Sequence, residues 1–310
     1  MTTLPAFLKP GDRVHVPAPA SPVKEAFLKA GLDRLRGRGW EPSTGPNLFE
    51  TRFSSAGDDD VRAADLVRSL SDPAVAAVWP ARGGYGCGRL LPALDRAFAD
   101  GPPPLKWLLG CSDVTFLLLY ARQRWGWPVV HGPMPAGDVA RGPRDCDLDY
   151  LFALLEGRSV RAGVSTVPLE VLREGPDVVA PLTGGCLSIL AATLGTPYAW
   201  ETDGCILFLE DTQVKPYQLD RLLTQLRQAG KFDRCRGIVF GRMTECSQHP
   251  AQGYTVWEAL SHALEGLDVP VLGALSSGHS DRPTVPLVFG PPYRLSTAEN
   301  NLFLEARPDA

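Results

Sequence analysis

Three short stretches carry side chains that together could perform acyl transfer. Gly110-Cys111-Ser112-Asp113 offers a hydroxyl, Glu210-Asp211 two carboxylates, and Gly278-His279 an imidazole. A serine hydroxyl is a weak nucleophile until a base removes its proton, and it must stand exposed on a constrained turn. "LKWLLGCSDVTFLLLY" provides such a turn, with an apolar strand, then Gly-x-Ser, then an apolar helix. The amide of Asp113 at the helix start would face a developing oxyanion. The same residues also suit a plain helix cap. Taken alone, the motif favours the cap, because G-x-S-D lacks the second glycine of the G-x-S-x-G elbow.

His279 is the best candidate base, since it sits among small polar residues in SSGHSD. His131 in VVHGP is the competitor. His15 lies within a strand, and His249 and His262 fall in a surface loop and a helix. Glu210 closes the apolar run CILFLE, where an acid is costly to bury without a partner. Orienting an imidazole and stabilising its cation would supply that partner. A salt bridge to Arg221 or Arg242 would do so equally, with Asp211 as a helix-capping neighbour. The order Ser, Glu, His is permitted, because geometry rather than order defines a triad.

Arg82-Gly83-Gly84-Tyr85-Gly86 has three explanations: a tight turn, a phosphate cradle, or an amide at Gly84 that completes an oxyanion hole with Asp113. The spacing does not match GxxxxGK[ST], and the loop follows a later strand rather than opening the chain, so both a P-loop and a dinucleotide site are weak readings. Arg82 could clamp a carboxylate or brace the loop. Gly83, Tyr85 and Cys186 complete the candidate substrate contacts. Aromatic residues such as Trp200 or Tyr254 could stack a ring, although core packing explains an aromatic as often.

The elements that must position these residues alternate between short apolar runs and amphipathic stretches, the pattern of an α/β protein with a largely parallel sheet. RVHVPAPA reads as a first strand, Val23 to Arg38 as a helix, and Asp58 to Leu70 as a helix opened by aspartates. VAAVWP, LKWLLG and PVVHGP read as further strands. The sequence predicts a Rossmann-like, doubly wound unit over residues 1–155 carrying Ser112. An extended connection over 156–180 and a C-terminal α/β domain over 181–310 carrying Glu210 and His279 follow. The candidate loops all leave strand ends, where open α/β sheets gather ligands.

Composition limits the alternatives. The 310 residues carry a formal net charge of -4, with 44% hydrophobic and 21% charged residues. No basic run suits a nucleic-acid polymer, and no apolar run approaches the roughly 20 residues of a membrane span. The N-terminus lacks the pattern of a secretory signal, so a cytoplasmic protein is expected. The seven cysteines are scattered without a CxxC, and the five histidines show no HExxH, so neither a disulfide framework nor a zinc site is expected.

Taken together and in order, ARGGYGCGRLLPALD, LLGCSDVTFLLLY, PLTGGCLSILAATLGTPY, ILFLEDTQVKPYQLDRLLTQLRQAGKFDRCRGIVFGR and SSGH resemble the LD-carboxypeptidase family of serine peptidases, which includes the microcin C self-immunity peptidases. The resemblance runs from GDRVHVPAPASP to VPLVFG. It implies Ser112 as nucleophile, His279 as general base, Glu210 as its orienting acid, and the amides of Gly84 and Asp113 as the oxyanion hole. It also implies a homodimer with no metal or other cofactor. The implied substrate is a murein tetrapeptide, cleaved between the L-centre of meso-diaminopimelate and a terminal D-alanine, as in peptidoglycan recycling. The immunity branch instead cleaves an aminoacyl- or peptidyl-nucleotide conjugate. Two positions depart from the family pattern: Cys186 stands where GGN is common, and Val214 where EDxxE is common. A non-catalytic small-molecule-binding protein on the same fold is the third reading, because fold alone does not imply function.

Overall fold

The computed structural model describes residues 3–158 and 160–305 as two compact α/β units. One runs to Val160 and takes back Pro283–Val288; the other is Arg161–Arg282 with the chain from Phe289 onward.

In the first unit, β1 (Arg13–Val16), β2 (Glu41–Thr44), β3 (Val75–Val78), β4 (Trp107–Gly110) and β5 (Val129–His131) form one parallel sheet. A sixth strand, Leu287–Phe289, lies beside β5. The five strands run in the order 2-1-3-4-5, so the chain changes winding direction between β1 and β3. Helices α1 (Glu25–Arg36), α2 (Asp59–Ser71), α3 (Leu91–Ala97), α4 (Thr115–Trp125) and α5 (Leu148–Leu155) follow the strands in doubly wound fashion. The fold is the Rossmann-like one expected.

Its core joins Val14, Val16, Ala77, Trp107 and Leu109 from the strands, and Trp79 just past β3, to Leu28, Leu32 and Leu35 on one stripe of α1. The returning Val288 belongs to the same core. Each such side chain contributes about 1.5–3 kcal/mol when fully buried. The inner strands β3 and β4 are short and apolar because a parallel sheet covered by helices is shielded on both faces.

The second unit is built on β6 (Glu170–Arg173), β7 (Val178–Cys186), β8 (Ile206–Thr212), β9 (Gly237–Thr244) and β10 (Val271–Leu275). Numbering the returning strand as β11, the sheet is completed by β12 (Pro292–Ser296) and β13 (Asn301–Leu304), in the order β13-β12-β7-β8-β9-β10-β6. The four central strands are parallel, while β12, β13 and β6 pair antiparallel at the two sides. Residues 156–180, expected to be an extended connection, therefore hold an edge strand at 170–173.

Helices α6 (Leu187–Ala192), α7 (Pro216–Gln228) and α8 (Val256–Ala263) belong to this unit. The α7 helix begins with proline at its first position and buries Leu219, Leu223 and Leu226, a one-sided spacing. A reciprocal box starts α8: Glu258 N–H donates to Thr255 Oγ1 (3.2 Å) and Thr255 N–H to Glu258 Oε2 (2.7 Å). Among the described residues no helix is long and apolar enough to cross a membrane.

Candidate active site

The chain leaves β4 through Gly110 (φ +153°), passes an extended Cys111, and reaches Ser112 at φ +59°. A Cβ at position 110 would fall 2.6 Å from Val114 Cγ1, so only glycine lets the turn close this tightly. A non-glycine residue in the left-handed region is uncommon and strained, and such strain concentrates at functional corners. Ser112 starts a three-residue 3₁₀ turn that leads into α4. The capping position of that turn is Cys111 and that of α4 is Val114, with no side-chain cap bond at either. Helix capping, open from the sequence, therefore has no bond behind it at Ser112.

Asp113 is buried, and its side chain serves another element. Its Oδ2 accepts from the Cys87 amide at 2.7 Å, tying the serine turn to the end of the glycine loop. Burial pushes its carboxyl pKa above the usual range, opposed by that hydrogen bond.

The glycine loop lies directly against the serine. A Cβ on Gly83 would sit 2.7 Å from Ser112 Cβ, 2.9 Å from its Oγ and 3.4 Å from the Asp113 nitrogen. Gly84 and Gly86 take φ values of +120° and +129°, which glycine reaches without a Cβ penalty. Behind Gly86 lies the fully buried guanidinium of Arg62, which donates to the Pro19 carbonyl and to Asp59. Arg82 is exposed and donates to the Pro22 carbonyl at 3.2 Å, the bracing arrangement of its two candidate roles. Tyr85 is exposed, with its amide donating to Ser21 Oγ at 3.1 Å.

In the second unit Glu210 is completely buried in the last part of β8. Its Oε2 accepts two bonds from His279, one from the backbone amide at 3.0 Å and one from ring Nδ1 at 2.8 Å. A carboxylate accepting from Nδ1–H fixes the tautomer and leaves the lone pair on Nε2. The imidazole is 28% exposed, so the ring reaches solvent while its acid does not. Thr244 Oγ1 holds the His279 carbonyl at 2.7 Å. Two glycines make room for the carboxylate: a Cβ at Gly241 would fall 2.7 Å from Glu210 Cβ, and one at Gly278 2.5 Å from Oε2. The arginine partners weighed for Glu210 are engaged elsewhere. Arg242 forms a two-pronged pair with Asp281 at 3.0 Å, and Arg221 lies over the Tyr217 ring.

Asp211 has a different task. It accepts from the Ser188 amide (2.8 Å) and hydroxyl (2.6 Å) in the first turn of α6. Burial raises its carboxyl pKa, the Ser188 hydroxyl opposes this, and the charge of Glu210 adds to the rise. Cys186 is buried, in register with Glu210 across the β7–β8 pair, and its Sγ lies 3.7 Å from Asp211 Oδ1. Val214 is half-buried just beyond β8. The competing His131 ends β5, fully buried.

The first unit thus gathers Ser112, Asp113, Gly83 and Gly84, and the second Glu210, His279 and Cys186. The supports Ser21, Arg62, Thr244 and Ser188 were not singled out from the sequence. Only the Pro/Ser-rich turn PASP and the aspartate-rich start of α2 hinted at the first two.

The LD-carboxypeptidase N-terminal domain model matches residues 14–132 and the C-terminal domain model residues 179–295. The murein tetrapeptide carboxypeptidase of Pseudomonas aeruginosa is 33% identical over 86% of this chain and 88% of its own. The crystal structure of muramoyltetrapeptide carboxypeptidase from Oxalobacter formigenes has a TM-score of 0.79 at 26% identity, covering 94% of this chain and 97% of its own. The microcin C7 self-immunity protein MccF of Escherichia coli is 24% identical over 89% of this chain and 88% of its own. MccF solved with glutamyl sulfamoyl guanosine shares the fold, with a TM-score of 0.85 at 22% identity over 98% and 99% of the two chains. With both of its domains matched and a relative one-third identical along most of its length, the chain belongs to the LD-carboxypeptidase family of peptidases.

Proposed function

We propose that the protein is a serine carboxypeptidase of the LD type, hydrolysing the amide between the L-centre of meso-diaminopimelate and a terminal D-alanine in murein peptides. The observation that carries this reading is the 2.8 Å bond from His279 Nδ1 to the fully buried Glu210. A carboxylate without exposure, bonded to a ring that keeps its own, is the arrangement by which an acid orients a general base. The strained, uncapped Ser112 beside Gly83 supports the nucleophile.

In this reading His279 Nε2 takes the proton of Ser112 Oγ as that oxygen attacks the scissile carbonyl. The amides of Gly84 and Asp113 stabilise the oxyanion of the tetrahedral intermediate. The imidazolium, steadied by Glu210, returns the proton to the departing D-alanine nitrogen and leaves an acyl-serine. Water, deprotonated by the same imidazole, then releases the shortened peptide. No metal or cofactor takes part. The protein acts as a cytoplasmic homodimer on small peptides during peptidoglycan recycling.

A second reading keeps the machinery and changes the substrate to an aminoacyl- or peptidyl-nucleotide conjugate. It is favoured by Cys186 and Val214 standing where polar family residues are common, and by the aminoacyl sulfamoyl nucleosides bound in MccF structures. A site that gives up hydrogen-bonding groups discriminates less strongly for the matching polar substrate.

The test is direct. Purified protein given diaminopimelate-containing tetrapeptide should release D-alanine, and Ser112→Ala should lower kcat by ~10⁴-fold or more without unfolding the chain. Full activity in Ser112→Ala would overturn the mechanism. Release from a sulfamoyl conjugate but not from the tetrapeptide would select the second substrate class.

A further inference from the structure

The reversal in strand order between β1 and β3 opens a crevice at their carboxyl ends, the usual ligand position in such sheets. The loops leaving these strands are joined there by one hydroxyl. Ser21 Oγ donates to the Ser54 carbonyl (2.5 Å) and accepts from the Tyr85 amide (3.1 Å), and a Cβ on Gly84 would fall 2.2 Å from it. Ser21 therefore connects the glycine loop to the hairpin at residues 52–55.

That hairpin is unusual. Arg52 and Ser55 exchange backbone hydrogen bonds of 2.9 and 3.0 Å across a two-residue loop. Of the two loop residues only Phe53 has a positive φ, +52°, in the position where such turns take glycine. The residue is 93% exposed. A phenyl group on strained backbone, held in water, costs stability and packs no core, so its use lies outside the fold. Phe53 and Tyr85 line one cavity of about 710 Å³, within the range of small-molecule sites. Arg52 is paired there with Asp58 (2.6 Å) and Arg89 with Asp59 (2.7 Å), so the walls offer donors and acceptors, and Asp60 adds one carboxylate more.

We propose that this cavity is a subsite for a ring-bearing substituent of the substrate, with Phe53 and Tyr85 supplying stacking faces and the paired Arg52 and Arg89 meeting the ring's hydrogen-bonding edge. The inference rests on the proposed reaction at Ser112. From Gly83, which abuts Ser112, to Tyr85 is two residues, about 7 Å of chain, so a group about six or more bonds beyond the scissile amide reaches the cavity. A ring with one apolar face and polar edges fits this lining. It comes from either the amino sugar borne by a murein peptide or the base of a nucleotide conjugate.

The experiment compares kcat/KM for free tetrapeptide, N-acetylmuramyl-tetrapeptide and an aminoacyl sulfamoyl adenosine. Phe53→Gly is the decisive variant, since glycine suits the turn and removes only the ring. The ratio of ring-bearing to free substrate should fall about tenfold, mainly through KM, and Phe53→Tyr should restore it. The substrate that loses identifies the source of the ring. In a second arm, the two ring-bearing compounds are titrated calorimetrically into Ser112→Ala protein with and without Phe53→Gly. A tenfold weaker Kd for either compound supports the subsite, and an unchanged Kd for both overturns it. Should no substrate be turned over at all, the proposed reaction fails while the binding arm still decides the subsite.

Discussion

Gly278 and Glu210 are packed so closely that a Cβ on the glycine would fall 2.4 Å from the carboxyl carbon of the acid. The residue beside the histidine is thus as much a part of the carboxylate's chamber as the histidine itself. Gly278 also takes φ +81°, where a side chain is strained whatever the space. Gly278→Ala should therefore displace the acid and turn the imidazole. Its kcat is expected to fall by ~10³-fold or more, approaching Glu210→Gln, which should lose ~10⁴-fold through the wrong tautomer. Steady-state kinetics of the two variants beside circular dichroism would check this.

At Gly83 the crowding is against the hydroxyl. Gly83→Ala places a methyl group 2.7 Å from Ser112 Cβ. A displacement of about 1 Å at a reacting centre costs ~10²-fold, so kcat should drop by that factor with KM nearly constant. The measurement is a comparison of kcat and KM with the thermal midpoint, and a loss of activity no larger than the loss of fold would count against the role given to this loop.

Cys186 tests the substrate. It neighbours Glu210 across two strands and touches Asp211 through its sulfur. Cys186→Asn restores the amide common in the family and should raise kcat/KM on tetrapeptide about tenfold relative to a sulfamoyl conjugate. Destabilisation should stay within about 1–3 kcal/mol, the range for modest overpacking. Parallel assays on the two substrates give the ratio.

Lys106 makes a pH prediction independent of catalysis. The buried ammonium donates to the carbonyls of Ser69 (3.1 Å) and Asp72 (2.6 Å) at the end of α2. Burial pushes its pKa down to about 8, with the charge of Asp72 opposing. Between pH 8 and about 10.5 the unfolded chain then holds a proton that the folded chain has released. Stability from this group rises with pH across that window. The difference in unfolding free energy between wild type and Lys106→Met should follow the same rise, measured by denaturant titration at pH 7.5, 9 and 10.5.

Much of this arrangement was legible from residue order. Glycines, a serine and acids at the ends of apolar runs mark the loops that converge in parallel α/β sheets. An acid closing the run CILFL demanded a partner, and His279 provides it. Less visible were β2, whose EPST lies at a sheet edge with little apolar signal, and β6, another edge strand inside what read as a connection. Ser21 and Arg62 were missed because their importance lies in partners more than thirty residues away, Ser54 and Tyr85 for the first and Pro19 for the second. Local pattern carries little trace of such distant bonds.

The strand at 287–289 has a practical consequence for anyone dividing this gene. It completes the sheet of the first unit, and Val288 fills that unit's core. A fragment ending near residue 160 would present β5 as a bare, apolar margin with unpaired amides and carbonyls, a template for adhesion to other chains. Such a half-protein should be recovered as aggregates, whereas co-expression with the remaining fragment should return soluble material.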